Sequence, residues 1–161
     1  MSIVVEDGTG LANAVTYVSV ADADAYHSAF GNDAWTGTDA AKEIALRRAA
    51  QYIDARYSFR GLRKTSTQAL EWPRVAYEPD GRLEEWPPTR LVHACCEAAL
   101  RALSDTLQAD ASADSVTREK VGEIEVEYAQ KTGQTRYPIV DSLLRCYATS
   151  SASMLRVERV G

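Results

Sequence analysis

Long apolar runs are absent from this sequence. None approaches the roughly 18–20 residues that a membrane-spanning helix requires, so no membrane association is expected. The opening stretch Met1 to Asp7 lacks a basic region followed by a long apolar one, so no secretory signal is expected either. Histidine is scarce, with only His27 and His93, and cysteine is limited to Cys95, Cys96 and Cys146. Adjacent cysteines on a helix point about 100° apart, which suits neither a disulfide nor a metal site; free, buried thiols are the expectation. No GxSxG, Walker loop, GxGxxG, HExxH or CxxC motif occurs, which removes the commonest signatures of catalysis and cofactor binding. We therefore expect no enzyme, no catalytic residues, no cofactor and no metal.

What is present is an ordinary globular composition: 161 residues, 45% hydrophobic and 25% charged. That length can bury a core without cross-links. The net charge of −5 disfavours a protein built mainly to grip nucleic acid. The charge is uneven. Arg47, Arg48, Arg56, Arg60, Arg63 and Lys64 against Asp54 make the middle basic, whereas Asp105, Asp110, Asp114, Glu119, Glu123, Glu125 and Glu127 outnumber Arg118 and Lys120 later. Opposite patches suit head-to-tail contact between identical copies, and two solvated faces explain them equally well.

The pattern predicts a mostly α fold, a small bundle of about four helices with one β-hairpin and a free C-terminal tail. Residues 1–18 read as an irregular arm with an extended piece at Val15 to Val18. Ser19, with Asp22 three residues on, can cap a helix that runs through Ala21, Ala25, Tyr26 and Ala29 and stops at Gly31. Thr38 and Asp39 open a second, with Ala45, Leu46, Ala49, Ile53 and Tyr57 at helical spacing. Residues 62–87, with four prolines or glycines and two tryptophans, form a long loop of the kind that is usually functional. Pro88 and Thr89 introduce a central helix to about residue 107, whose Ala94, Ala98, Ala99 and Ala102 permit close packing. The alternation Glu123-Ile124-Glu125-Val126-Glu127-Tyr128 marks a strand, paired with residues 116–121, whose exposed Glu123, Glu125 and Glu127 guard its edge. Pro138 starts a last helix carrying Ile139, Val140, Leu143, Leu144 and Tyr147, with an Asp141–Arg145 pair on its other side. The domain is then 1–149 and the tail 150–161.

Two places invite chemistry. His93 stands three residues before Cys96 on a helix, but nothing nearby supplies an orienting group, and a core histidine is the better reading. The stretch Arg56-Tyr57-Ser58-Phe59-Arg60-Gly61-Leu62-Arg63-Lys64 joins cations to aromatics, as single-stranded nucleic acid binding requires; core packing of Tyr57 and Phe59 is the stronger reading.

Several blocks together are familiar: Val4-Val5-Glu6-Asp7-Gly8-Thr9-Gly10-Leu11 with Tyr17-Val18-Ser19, Tyr52-Ile53-Asp54-Ala55-Arg56-Tyr57, Thr67-Gln68-Ala69-Leu70-Glu71-Trp72-Pro73-Arg74, Lys120-Val121-Gly122, and Arg156 to Gly161. In this order they resemble a family of tailed-phage and prophage proteins labelled DnaT-like single-stranded-DNA-binding proteins, and that family in turn resembles phage head–tail adaptors. The resemblance implies a helical bundle assembled as a ring, twelve-fold, beneath a portal protein. Such a ring would extend a channel for genomic double-stranded DNA, read without sequence specificity, and receive a stopper or tail-completion protein. The place of action would be the virion neck, after assembly in the host cytoplasm.

On this reading the tail residues Met154, Leu155, Arg156, Val157, Glu158, Arg159 and Val160 bind the portal, adding as a strand. Arg60, Arg63, Lys64, Gln68, Trp72 and Arg74 form an inter-subunit or partner loop. Twelve copies at −5 each give a ring of about −60, whose field keeps a phosphate backbone from sticking. The competing reading is a single-stranded-DNA-binding replication-type protein, which should instead show a basic groove and steeply salt-dependent affinity.

Overall fold

In a computed structural model, the described residues are 3–75, 86–107, 118–121, 124–127 and 137–149, with backbone alone described for 118–121 and 124–127. The elements run α1 (Val20–Ala29), α2 (Asp39–Arg56), β1 (Leu62–Arg63), β2 (Arg74–Val75), α3 (Thr89–Ser104), β3 (Arg118–Val121), β4 (Ile124–Glu127) and α4 (Pro138–Leu144). This is a small, mostly helical fold with an antiparallel β3–β4 hairpin, in the register Arg118 opposite Glu127 and Val121 opposite Ile124. The expected tail, with Met154 to Val160, and the expected edge residue Glu123 lie outside the described residues. Glu125 and Glu127 fall on β4.

Local chemistry sets the helix ends. Ser19 Oγ accepts from the Asp22 amide (3.1 Å) and donates to its carboxylate (2.6 Å), a reciprocal cap that starts α1. Gly31, at φ +66°, lies just past the α1 C-cap residue Phe30, in a region where a side chain would be strained. Thr38 Oγ1 accepts from the Ala41 amide (3.3 Å) at the start of α2, and Pro138 begins α4 where no amide hydrogen is needed.

α3 is the axis of the molecule. It packs against α1, α2 and α4, and buries Leu91, Ala94, Cys95, Cys96, Ala98, Ala99 and Ala102. Its alanines let α2 approach closely through Ala45, Leu46, Ala49, Ala50 and Ile53. Each large side chain fully buried here stabilises the fold by about 1.5–3 kcal/mol relative to exposure.

Two expectations need correction and one, the loop, gains detail. Of the expected arm 1–18, the described residues 3–18 are partly core: Val5 and Thr16 form a parallel bridge, and Ala14, Thr16, Tyr17 and Val18 are buried. The loop after Gly61 carries a two-residue antiparallel ladder, Leu62 opposite Val75 and Arg63 opposite Arg74. Asp141 does not serve a pair with Arg145; its carboxylate accepts from Tyr57 Oη at 2.5 Å, which ties α4 to the end of α2. The half-buried Tyr57 hydroxyl is a closer partner for that carboxylate than the exposed Arg145 guanidinium.

Candidate functional site

The sequence blocks with the least generic pattern meet at one place. Glu6 is buried, and its carboxylate accepts from the amides of Gly8 (2.9 Å), Gly10 (2.8 Å) and Leu11 (2.8 Å). Gathering three amides around one carboxylate needs a tight turn, and Gly8 and Gly10 sit at φ +91° and +86°. A Cβ on Gly8 would come within 2.5 Å of the Trp86 ring. The turn docks on the following loop: Lys64 Nζ donates to Gly8 O (2.7 Å), and the Ala69 amide to Leu11 O (2.9 Å).

Gln68 folds that loop around itself. Its Oε1 accepts from the Thr65 amide (2.9 Å), while Nε2 donates to Leu70 O (2.8 Å) and Pro73 O (3.1 Å). Trp72 is buried against Phe59 and Tyr147, with ring centres 5.7 and 5.3 Å away. The Arg74 guanidinium gathers carbonyls: Nε donates to Arg60 O (2.9 Å), Nη2 to Phe59 O (3.1 Å) and Gly61 O (2.7 Å), and Nη1 to Glu71 O (3.2 Å) and its carboxylate (2.8 Å). Asp54 closes the assembly from α2. It accepts from Tyr17 Oη and from the Glu71 amide (3.1 Å), while the Trp72 amide donates to Tyr17 Oη (3.3 Å). Burial pushes the Asp54 carboxyl up to about 6, against the lowering effect of those two donors. The Thr-Gln-Ala-Leu-Glu-Trp-Pro-Arg string is therefore an internal clasp between the first residues and α2.

This placement divides the expected partner loop. Gln68 and Trp72 are buried inside the clasp and present nothing to a partner, a correction whose cause is their long-range packing. Arg74 is nearly enclosed by carbonyls. Arg60, Arg63 and Lys64 are exposed, although Arg63 donates to Gln68 O and Lys64 to Gly8 O. Beside them the ladder pair Leu62 and Val75 stands out in solvent, at 77% and 56% exposed. Tyr57 and Phe59 pack inward, Phe59 on Trp72 and Tyr57 on Tyr52, so the aromatics of the basic stretch are unavailable for base stacking.

The residues that could have carried thiol chemistry are also enclosed. Cys95 and Cys96 have no exposed surface; burial pushes the Cys95 thiol up to about 12 and the Cys96 thiol upward as well. A thiol held protonated is a poor nucleophile. Among the described residues no cluster of three or more His, Cys, Asp or Glu is placed to hold a metal ion. A hollow of about 340 Å³ lies beside Asp24, His27, Asn32, Trp35 and Lys42. Its groups mainly serve one another: Asp24 accepts from Trp35 Nε1 (2.6 Å) and Lys42 Nζ (2.8 Å), and Asn32 Nδ2 meets His27 Nδ1 (3.1 Å).

One surface feature was not foreseen. Tyr26 lies between Phe30 and His93, with ring centres 4.7 Å from each, and Phe30 is 63% exposed. The Tyr26–Phe30 spacing on α1 was readable in the sequence; their meeting with His93 of α3 was not.

The fold and this inventory define a small helical domain whose most distinctive residues build structure, with Arg60, Arg63 and Lys64 exposed beside them. The family model described as "Putative DnaT-like ssDNA binding protein" matches residues 1–160, and the chain belongs to that family. No curated protein and no solved structure matches it.

Proposed function

We propose that the protein works by binding other macromolecules, without catalysis, and that single-stranded DNA is its first ligand. The observation that carries this is the family match across 160 residues, since the description of that family names this ligand. The exposed cations Arg60, Arg63 and Lys64 provide phosphate contacts at one rim of the clasp. The deciding measurement is fluorescence anisotropy of a labelled oligo(dT) titrated with protein at several salt concentrations. Affinity should fall along a straight line in log–log form, with a shallow slope set by few phosphate contacts. Absence of binding at low salt overturns the reading.

A second reading has its own support. The basic stretch turns its aromatics into the core, two of its cations bond backbone carbonyls, and the chain is acidic. A subunit of a phage head–tail adaptor ring, bound to a portal and passed by duplex DNA that must not stick, would have these properties. Its virion location, its stopper or tail partner and the portal-binding role of Met154 to Val160 belong to this proposal. The chain reaches residue 149 in extended pairing: the Thr149 amide donates to Ser58 O (2.7 Å) and the Arg60 amide to Tyr147 O (2.9 Å). Electron microscopy of the protein mixed with its cognate portal tests this reading. Rings stacked on portal rings that are lost on deleting Ser153 to Gly161 support it; free subunits and bare portals overturn it.

A further inference from the structure

We infer that the ledge formed by Phe30, Tyr26 and His93 is a stacking platform for an unpaired nucleobase. The inference rests on the single-stranded-DNA reading and gives it a site. It starts from a mismatch. A base-stacking protein needs exposed rings, and the rings nearest the basic stretch, Tyr57 and Phe59, face inward. Phe30 does the opposite. It is a large apolar side chain at the C-cap of α1, where a small or polar residue would serve the helix equally well, yet it is 63% exposed.

The ring is also held in place. Tyr26, one turn earlier, supports it at 4.7 Å with an interplanar angle of 40°, and His93 approaches it at 6.0 Å. Tyr26 is itself fixed, because its hydroxyl donates to Glu97 (2.9 Å), whose carboxylate is in turn paired with Arg101 (2.8 Å). A ring supported in this way loses little freedom when a flat ligand settles on it, which favours stacking over a floppy contact. The Arg101 pairing also offsets the charge of Glu97, the acid that Tyr26 touches.

Charge sets the direction of the strand. Asp22 lies one turn before Tyr26 on α1 and repels phosphate, whereas exposed Arg90 lies one turn before His93 on α3. The sugar–phosphate backbone therefore runs on the α3 side, with the base turned toward Phe30. Arg90 also reaches Cys146 Sγ (3.2 Å).

The test compares oligo(dT) with an otherwise identical strand carrying abasic sites, by anisotropy at fixed salt, for wild type, Phe30→Ala, Phe30→Trp and Arg90→Gln. Phe30→Ala should bind oligo(dT) at least fivefold more weakly and Phe30→Trp should keep affinity. On the abasic strand wild type and Phe30→Ala should be equal, because only the base is missing. Arg90→Gln should reduce the salt slope by about one contact. Circular dichroism melting of the two Phe30 variants should match wild type, since the ring is mostly in solvent. If wild type binds and Phe30→Ala binds equally well, the ledge is not the site and the DNA reading stands. If wild type binds no DNA, that reading fails and the platform with it. If Phe30→Ala changes sedimentation and leaves DNA affinity alone, the ledge is a contact between protein chains and the inference is overturned.

Discussion

Tyr17 donates its hydroxyl proton to Asp54, and that one hydrogen bond joins the first strand-like segment of the chain to the last turns of α2. The Glu71 and Trp72 amides complete the junction from the following loop. Three segments distant in sequence thus share one carboxylate, and the properties of that carboxylate become properties of the clasp.

The first prediction concerns pH. Asp54 titrates at about 6 when folded, above the ordinary 3.8, because burial disfavours its charge. The folded state therefore holds the proton more tightly than the unfolded one. The stability this contributes is full below about pH 4 and is lost as pH rises through 6. Asp54→Asn lacks this titration, so its melting temperature relative to wild type should rise between pH 4 and 7. A constant offset is also expected, because the asparagine amide has one acceptor oxygen where the carboxylate has two, and Tyr17 and the Glu71 amide donate to different oxygens. Parallel melting curves across that range would show that the Asp54 carboxyl is not perturbed.

Gly8→Ala should destabilise the domain by at least about 1 kcal/mol, read as a lower urea midpoint with unchanged slope. The backbone at φ +91° strains a side chain, and the new methyl would meet the Trp86 ring at 2.5 Å. Unchanged stability would mean that the turn around Glu6 is not closed in solution.

Arg74→Lys should cost about 2 kcal/mol or more, although the charge is kept. The guanidinium donates to carbonyls of residues 59, 60, 61 and 71, and an ammonium on a flexible stem cannot reach them together. Chemical denaturation of the two proteins side by side gives the difference. A neutral result would assign the clasp's strength to Trp72 packing alone.

Thiol labelling with an aromatic disulfide reagent should count one cysteine in the native protein and three after denaturation. Cys146 is only half-buried, whereas Cys95 and Cys96 are sealed inside α3 and held protonated. Replacing all three by Ala should reduce stability through lost packing and leave ligand binding intact. Rapid native labelling of Cys95 or Cys96 would mean that α3 opens readily.

Ala98→Asp should prevent stable folding, because the carboxylate would be placed in a fully buried position with no partner. Soluble expression with unchanged melting would show that the buried face of α3 lies elsewhere.

What the sequence determined by itself is local. Ser19, Thr38, Pro138 and Gly31 set helix boundaries through bonds and dihedrals within a few residues, and alternation around Ile124 and Val126 marked the hairpin. Periodicity identified α3 as the buried axis and its thiols as core, because a stripe of small apolar side chains has one low-energy destination. The family was legible only through the resemblance of particular strings, whose purpose stayed hidden. Only tertiary structure decided that purpose, and which aromatics face water. Gln68 and Trp72 look like loop residues until Pro73, Tyr147 and Phe59 are seen around them. Phe30 and Phe59 are alike as residues, yet one is enclosed and the other is exposed beside His93, more than sixty positions away. The physical reason is range: a cap or a period is an energy among neighbours in the chain, whereas burial depends on what a distant segment places opposite.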